Sequence, residues 1–269
     1  RFFLEQDRKA ALEDSLGALD RVVFQEKIGT IGDKSRRIAS ISRKLADFLL
    51  LDSEACHRAA LLSKCDLMSH MVGEFPELQG EMGQHYALSS GESAAVAEAI
   101  GEHYAPRFAG DVIPGTPVGQ VVGIADRADT LVSIFAAGLK PTGNKDPFAL
   151  RRSALGIIRI LLERGLDLRV GSLLRRAAEL YGELLSDRDG VVGEAAAFVR
   201  DRLRGVTAKA QAGAGHFAIG KPQHRSEQGR KEGHRQEQDD QQEDRLRPRD
   251  GARRGIGDGG PEDQPFRFG

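Results

Sequence analysis

The chain has 269 residues, 40% hydrophobic and 29% charged, with a formal net charge of -1; it is long enough to bury one large core or two ordinary ones. This balance fits a soluble globular protein and supplies no overall basic excess for nucleic acid, although RNA binding depends only on the local field at the contact surface. No apolar run approaches the roughly 18 residues of a membrane span and no signal peptide opens the chain, so the cytoplasm is the expected compartment and a membrane is not an expected partner.

The chain opens on Arg1-Phe2-Phe3-Leu4 without an initiator Met, as the interior of a longer protein would. Helical period dominates from Leu4 to about Val206. Ile38, Ile41, Leu45, Phe48 and Leu49 form one apolar stripe, with Asp33 placed as N-cap. Cys56 and Cys65 lack any C-x-x-C spacing and read as two reduced thiols. Ser89 with Glu92 has the capping-box spacing and predicts a helix with the stripe Ala95, Val96, Ala99, Ile100. Val121, Ile124, Ala125, Ala128, Val132 and Phe135 mark a third helix; nearby Val118 to Val122 is the only stretch that is ambiguous with a strand. A fourth is predicted with Asp146 as cap, Pro147 at the first helical position, Ala154, Ile157, Ile158 and Leu161 inward, and a stop at Gly165. The connectors Gly29 to Gly32, Glu74 to Gly83, Gly110 to Gly119 and Lys140 to Asp146 are longer than spacers require, which favours docking or functional roles for some of them. The expected fold class is all-α.

After about Ala208 the character changes. Residues Gln211 to Gly269 are rich in Gly, Gln, Arg, Asp and His and poor in large apolar side chains, so burial cannot offset their ordering entropy and a disordered tail is expected over 206–269. Its loss of period without resumption reads as a shifted reading frame; a genuine disordered extension is the alternative.

Three stretches carry a family resemblance: Val23-Phe24-Gln25-Glu26-Lys27-Ile28-Gly29-Thr30 with Asp33-Lys34 and Arg37-Ile38; Leu62-Ser63-Lys64-Cys65-Asp66-Leu67 leading to Met71-Val72-Gly73-Glu74-Phe75-Pro76-Glu77-Leu78-Gln79-Gly80; and Ala125-Asp126-Arg127-Ala128-Asp129-Thr130-Leu131 followed by Pro141-Thr142-Gly143-Asn144-Lys145-Asp146-Pro147-Phe148-Ala149-Leu150-Arg151-Arg152. In this order and spacing, over roughly Arg1 to Leu203, the chain resembles the central region of the β subunit of bacterial two-subunit glycyl-tRNA synthetase. The resemblance implies an HD-domain-like helical bundle over residues 1–205. It also implies a division of labour in which an α subunit holds the ATP-dependent chemistry and the β subunit recognises tRNA. The partners it implies are the synthetase α subunit and tRNA(Gly), not DNA. ATP and Mg would serve the whole enzyme, and this part of the β subunit would bind no cofactor and carry no catalytic residue.

HD-type phosphohydrolases hold a divalent metal with a His, a His-Asp pair and a later Asp, and the metal activates water. The resemblance sets Lys34 about where the first His would stand. Ser63-Lys64, or Cys65-Asp66 under a shifted alignment, falls at the pair, while His103 and Asp126 stand at later site positions. A site without its first His and its His-Asp pair does not hold a metal, and an ammonium nearby repels a dication. The set Lys34, Ser63, Lys64, Asp66, His103, Asp126 and Asp129 therefore reads as a vestigial site. Metal-dependent phosphohydrolysis is the rival reading, and an inactive truncated product the third. Asp126 and Asp129, spaced i, i+3 off the main stripe, are metal ligands, acceptors from a base, or ordinary solvated and salt-bridged groups; His103 is a vestigial ligand or a cap with a packed ring.

The basic residues form two groups. Arg36 with Arg43 and Arg37 with Lys44 are each spaced seven apart, predicting a face opposite the Ile38 stripe, with Lys27 and Lys34 beside it. Lys140, Lys145, Arg151 and Arg152 gather around the Asp146 helix start. Both are candidates for phosphate contacts along an A-form stem, which is read through backbone and shape. Phe75, Pro76 and Leu78 in the Glu74–Gly83 connector are read as packing internally or docking on another domain or the α subunit.

Overall fold

The computed structural model describes residues 2–141 and 145–212, with side chains through residue 208. In chain order the described residues form α1 (Phe2–Asp7), α2 (Leu16–Leu19), β1 (Val23–Gln25), β2 (Gly29–Thr30), α3 (Ile31–Leu49), α4 (Ser53–Leu62), α5 (His70–Glu74), α6 (Glu81–Ser89), α7 (Ala94–Glu102), α8 (Pro117–Ala136), α9 (Leu150–Arg164), α10 (Val170–Glu179) and α11 (Arg188–Ala212). The architecture is all-α apart from one small antiparallel hairpin, β1–β2, which the sequence reading did not anticipate. Val118 to Val122, the stretch ambiguous with a strand, is helix.

The bundle is built around α8. Its Val121, Val122, Ile124, Ala125, Ala128, Leu131, Val132, Ile134 and Phe135 are all buried, and a helix apolar on nearly every side must be enclosed. Helices α3, α4, α7, α9, α10 and α11 pack around it.

Local chemistry sets the helix ends, and at three of them it differs from expectation. Thr30, not Asp33, caps α3: Thr30 Oγ1 accepts from the Asp33 amide, and Asp33 Oδ2 accepts from the Thr30 amide at 3.0 Å. Asp33 thus fills the third position of a capping box, an arrangement with two reciprocal bonds where a lone cap has one. Ser89 ends α6, and Ser93 caps α7 by accepting from Val96 N. Ser89–Glu92 has the right spacing, but Gly91 at φ 86° breaks the chain between them. Helix α9 starts later than expected: Ala149, at φ 53°, is its N-cap, and Pro147 stands in the preceding turn and not at the first helical position, while the Asp146 carboxylate reaches forward to accept from Leu150 N at 2.8 Å and Arg151 N at 2.9 Å. Gly165 ends α9 in the left-handed region at φ 63°, as predicted.

Cys56 and Cys65 are free and buried, and burial pushes their thiols up to about 11 and about 12. Helix α11 continues past residue 206, where a tail was expected to begin; the rest of that tail, from residue 213, lies outside the described residues. No helix among the described residues is long and apolar enough to cross a membrane.

Candidate functional site

Helix α3 turns Lys34 and Arg37 inward, against Asp126 and Asp129 on α8. Lys34 is 4% and Arg37 8% exposed, while Asp129 and His103 are fully buried. The Lys34 ammonium lies 2.8 Å from Asp126 Oδ1, facing it as an ion pair without hydrogen-bond alignment. It donates to Thr130 Oγ1 at 2.7 Å and to Asp129 Oδ2 at 3.2 Å. Arg37 Nε donates to Asp129 Oδ1 at 2.7 Å, the same oxygen that accepts from the Tyr181 hydroxyl at 2.8 Å.

Lys64, in the turn after α4, enters the cluster from the other side. Its ammonium donates to Asp126 Oδ2 at 2.7 Å and lies 2.8 Å from His103 Nε2. An ammonium can only donate, so Nε2 accepts and Nδ1–H donates to Ile100 O at 2.7 Å. Burial and the adjacent Lys64 charge hold the His103 imidazole well below its ordinary pKa, in the neutral form. Burial opposes ionisation of Asp126, but Lys34 and Lys64 outweigh it and hold this carboxyl well below the usual carboxylate range.

Of the seven residues read as vestigial, five meet here: Lys34, Lys64, His103, Asp126 and Asp129. Asp126 and Asp129 are inward ion-pair partners rather than a solvated face, and His103 is both the α7 C-cap and a buried acceptor. Ser63 and Asp66 do not join them. Ser63 Oγ donates to Ala60 O at 2.8 Å. Asp66 Oδ2 accepts from Gly80 N at 2.6 Å, and burial raises this carboxyl despite that bond. Of the residues Ser63, Lys64, Cys65 and Asp66, Lys64 is the one that reaches an α8 carboxylate.

A metal does not fit these residues. Lys34 and Lys64 occupy the space between the carboxylates and the imidazole with positive charge of their own, and among the described residues no group of three or more His, Cys, Asp or Glu side chains is placed to hold a cation. The cluster instead ties α3, the turn after α4, the end of α7 and α8 together. Buried pairs of this kind are expensive to break, because removing one partner strands the other in a low dielectric.

Asp66 has a second consequence. By accepting from Gly80 N it fastens the Glu74–Gly83 connector from inside, while Arg107 donates to Glu77 O and Gln79 O at 3.2 and 2.7 Å from outside. Gly80 sits at φ 89°, where an added Cβ would lie 3.0 Å from the Tyr104 ring. Phe75 remains exposed and Leu78 half-buried.

Sequence reasoning passed over Arg127. This guanidinium is buried without a carboxylate partner and donates to five backbone carbonyls: His103 and Gly123 at 2.9 Å, Tyr104 at 2.9 Å, Ala105 at 2.7 Å and Pro106 at 3.3 Å. Burial lowers its pKa to about 10. It closes the C-terminal end of α7 and holds the chain that follows. Gly156 on α9 makes room for it, since a Cβ there would lie 2.3 Å from Arg127 Nε.

The basic groups divide by burial. Lys34 and Arg37 are committed inward and present no charge to solvent. Lys27, Arg36 and Lys44 are exposed and Arg43 is half-buried. Arg36 pairs with Asp20 and Asp33 at 2.7 and 2.9 Å, and Arg43 with Glu54 at 2.9 Å. Around the α9 start Lys140, Lys145 and Arg152 are exposed and Arg151 is half-buried; Lys140 pairs with Glu194 at 2.6 Å, and Arg152 donates to Arg107 O at 3.0 Å. Exposed pairs of this kind contribute about 0–1 kcal/mol each, so an incoming phosphate can displace them.

Comparison with known proteins adds a lineage to this geometry. A family model described as glycyl-tRNA synthetase beta subunit matches residues 1–218, past Leu203, about which the resemblance was expected to end. The chain is similar to the glycine–tRNA ligase beta subunits of Acinetobacter baylyi, 48% identical over 203 residues (76% of this chain, 30% of that protein), and Polaromonas naphthalenivorans, 49% identical over 207 residues (76% and 29%). That of Klebsiella pneumoniae is 49% identical over 203 residues, covering 76% of this chain and 29% of that protein. The chain spans less than a third of the length of these relatives.

Proposed function

This chain belongs to the glycyl-tRNA synthetase beta subunit family, and on that premise we propose that it serves the attachment of glycine to tRNA(Gly) by binding and scaffolding, as one part of the ligase's β subunit. The ATP- and Mg-dependent chemistry belongs, in this reading, to a partner α subunit. One observation supports the non-catalytic half of the reading: Lys64 stands between Asp126 and His103 and Lys34 between Asp126 and Asp129, so the buried cluster ties helices together and sets positive charge where a metal would have to lie. The tRNA-binding half rests on family membership together with the exposed bases Lys27, Arg36, Lys44, Lys145 and Arg152 and the half-buried Arg43. These side chains stand near loops and helix ends, suited to phosphates along an A-form stem and carrying no base-specific information.

The test is an aminoacylation assay with the purified chain, glycine, ATP, Mg and tRNA(Gly), run beside a phosphodiesterase assay with added Mn or Mg. Neither glycyl-tRNA nor hydrolysis is the expected outcome. Charging by the chain alone would overturn the division of labour, and metal-dependent turnover would restore the hydrolase reading.

A further inference from the structure

The turn between α7 and α8 holds a phenylalanine out in solvent on a backbone that is tied down on both sides of it. Before the ring, the Arg127 guanidinium grips the carbonyls of Tyr104, Ala105 and Pro106. Around it, the Asp111 carboxylate accepts from Arg107 N at 2.5 Å and Val112 N at 2.8 Å, closing the turn on itself. Arg152, in the first turn of α9, donates to Arg107 O at 3.0 Å, and Ile113 and Pro114 are buried at the far end. Phe108 stands at the tip, 66% exposed, with Val112 exposed on the same turn. A ring in that position contributes little to the core, and its fixed backbone leaves little ordering entropy to lose on binding.

Charge selects the kind of partner. Among the described residues the exposed phenylalanines are Phe2, Phe48, Phe75 and Phe108. Each of the first three has an exposed carboxylate within three residues: Glu5, Asp47 and Glu74. The only carboxylate that near Phe108 is Asp111, and it is turned to backbone amides. Arg107 directly precedes the ring, and the exposed Arg152 is hydrogen-bonded to the Arg107 carbonyl. Asp146, the acid nearest Arg152 in sequence, likewise faces the amides of Leu150 and Arg151. An aromatic face bordered by guanidinium groups suits an unpaired nucleotide, whose phosphate meets the cation while its base meets the ring.

We propose that Phe108 is a stacking platform for an unpaired base of RNA whose phosphate is held at Arg152, a site that rests on the tRNA-binding reading above. That reading gives the basic side chains phosphate contacts alone; here a base is taken as well. One hydrogen bond and one peptide unit separate the Arg152 guanidinium from the Phe108 backbone, within the span of a single nucleotide. Every base has a π-face, so the platform adds affinity for unpaired RNA over duplex without reading sequence.

Equilibrium binding of the full chain to labelled tRNA(Gly), to a blunt RNA duplex and to the same duplex with an unpaired 3′ extension, each across a salt series, tests this. Phe108→Ala is expected to weaken binding to tRNA(Gly) and to the extended duplex about 5- to 150-fold. The salt slope should stay the same, because no phosphate contact is lost, and blunt-duplex affinity and Tm should match the parent. Phe108→Trp should bind as the parent does. If the parent binds tRNA(Gly) and Phe108→Ala matches it, the platform is overturned while the phosphate-contact reading stands; a parent that binds none of the three RNAs overturns both. Equal weakening on the blunt duplex, or a shallower slope, would refute the platform by making Phe108 a support of the basic surface. Intact RNA binding with loss of co-sedimentation with the purified α subunit would refute it in favour of a protein as the occupant.

Discussion

Nε2 of His103 accepts from the Lys64 ammonium at 2.8 Å, and the same ammonium reaches Asp126 Oδ2 at 2.7 Å. One lysine therefore satisfies an imidazole from α7 and a carboxylate from α8 at once, and the three groups stand or fall together. Replacing Lys64 with Met should remove the charge at little change in volume and destabilise the chain by about 3 kcal/mol, because Asp126 keeps only Lys34. The Lys64→Met/Asp126→Asn double variant should lose less than the sum of the singles, by about 1–3 kcal/mol of coupling. Urea unfolding of the four proteins measures this, and strict additivity would mean that the pair is not coupled.

His103 makes stability depend on pH in a set direction. Its folded-state pKa lies well below the ordinary 6.5, so below about pH 6.5 the unfolded chain binds a proton that the folded chain refuses. Stability should be full above pH 6.5 and fall by up to about 1.4 kcal/mol per pH unit below it. His103→Gln keeps an acceptor for Lys64 and should flatten that slope between pH 6.5 and 5. Parallel curves for the two proteins would place the proton uptake elsewhere.

Asp126 acts in a lower window. Its folded-state pKa is depressed, so its contribution is complete above the unfolded value near 3.9 and disappears as pH falls through the lowered one. The stability gap between the parent and Asp126→Asn should be constant from pH 7 to about 4.5 and close only at more acidic pH. A gap that closes by pH 5 would contradict the ion-pair geometry.

Arg127 and Gly156 form one packing unit on α8 and α9. Arg127→Met strands the carbonyls that the guanidinium now satisfies and should cost on the order of 3 kcal/mol or more. Gly156→Ala should also destabilise, since the added methyl lands on the Arg127 side chain. In the Arg127→Met background that second effect should shrink to well under half. Calorimetric Tm values for the singles and the double decide it.

Much of this was legible in the sequence, and the misses have physical causes. The stripe of α8 and the stop at Gly165 were readable because burial imposes its period on many residues at once. Caps were not: Thr30 and Asp33 are both good capping residues, and only the reciprocal bonds between them reveal which one is the cap. The inward turn of Lys34 and Arg37 was present as a signal, since both stand four residues before Ile38 and Ile41 on the buried stripe. Charge argued for solvent, and no single-helix reading could know that Asp126 and Asp129 waited opposite. Arg127 likewise shares the i, i+3, i+7 line of Ile124 and Leu131. The β1–β2 hairpin escaped because its strands are too short to show alternation.

The central claim is that this chain binds tRNA through exposed bases while its buried charges stay structural. The most direct measurement is equilibrium binding of the full chain to labelled tRNA(Gly) across a salt series, for the parent and for Arg36→Glu/Arg43→Glu. The account predicts that log K falls linearly with log salt, and that the double variant binds more weakly to every tRNA tested, with a slope shallower by about 0.7–0.9 for each phosphate that is no longer neutralised. No binding by the parent, or binding indifferent to salt, would contradict it.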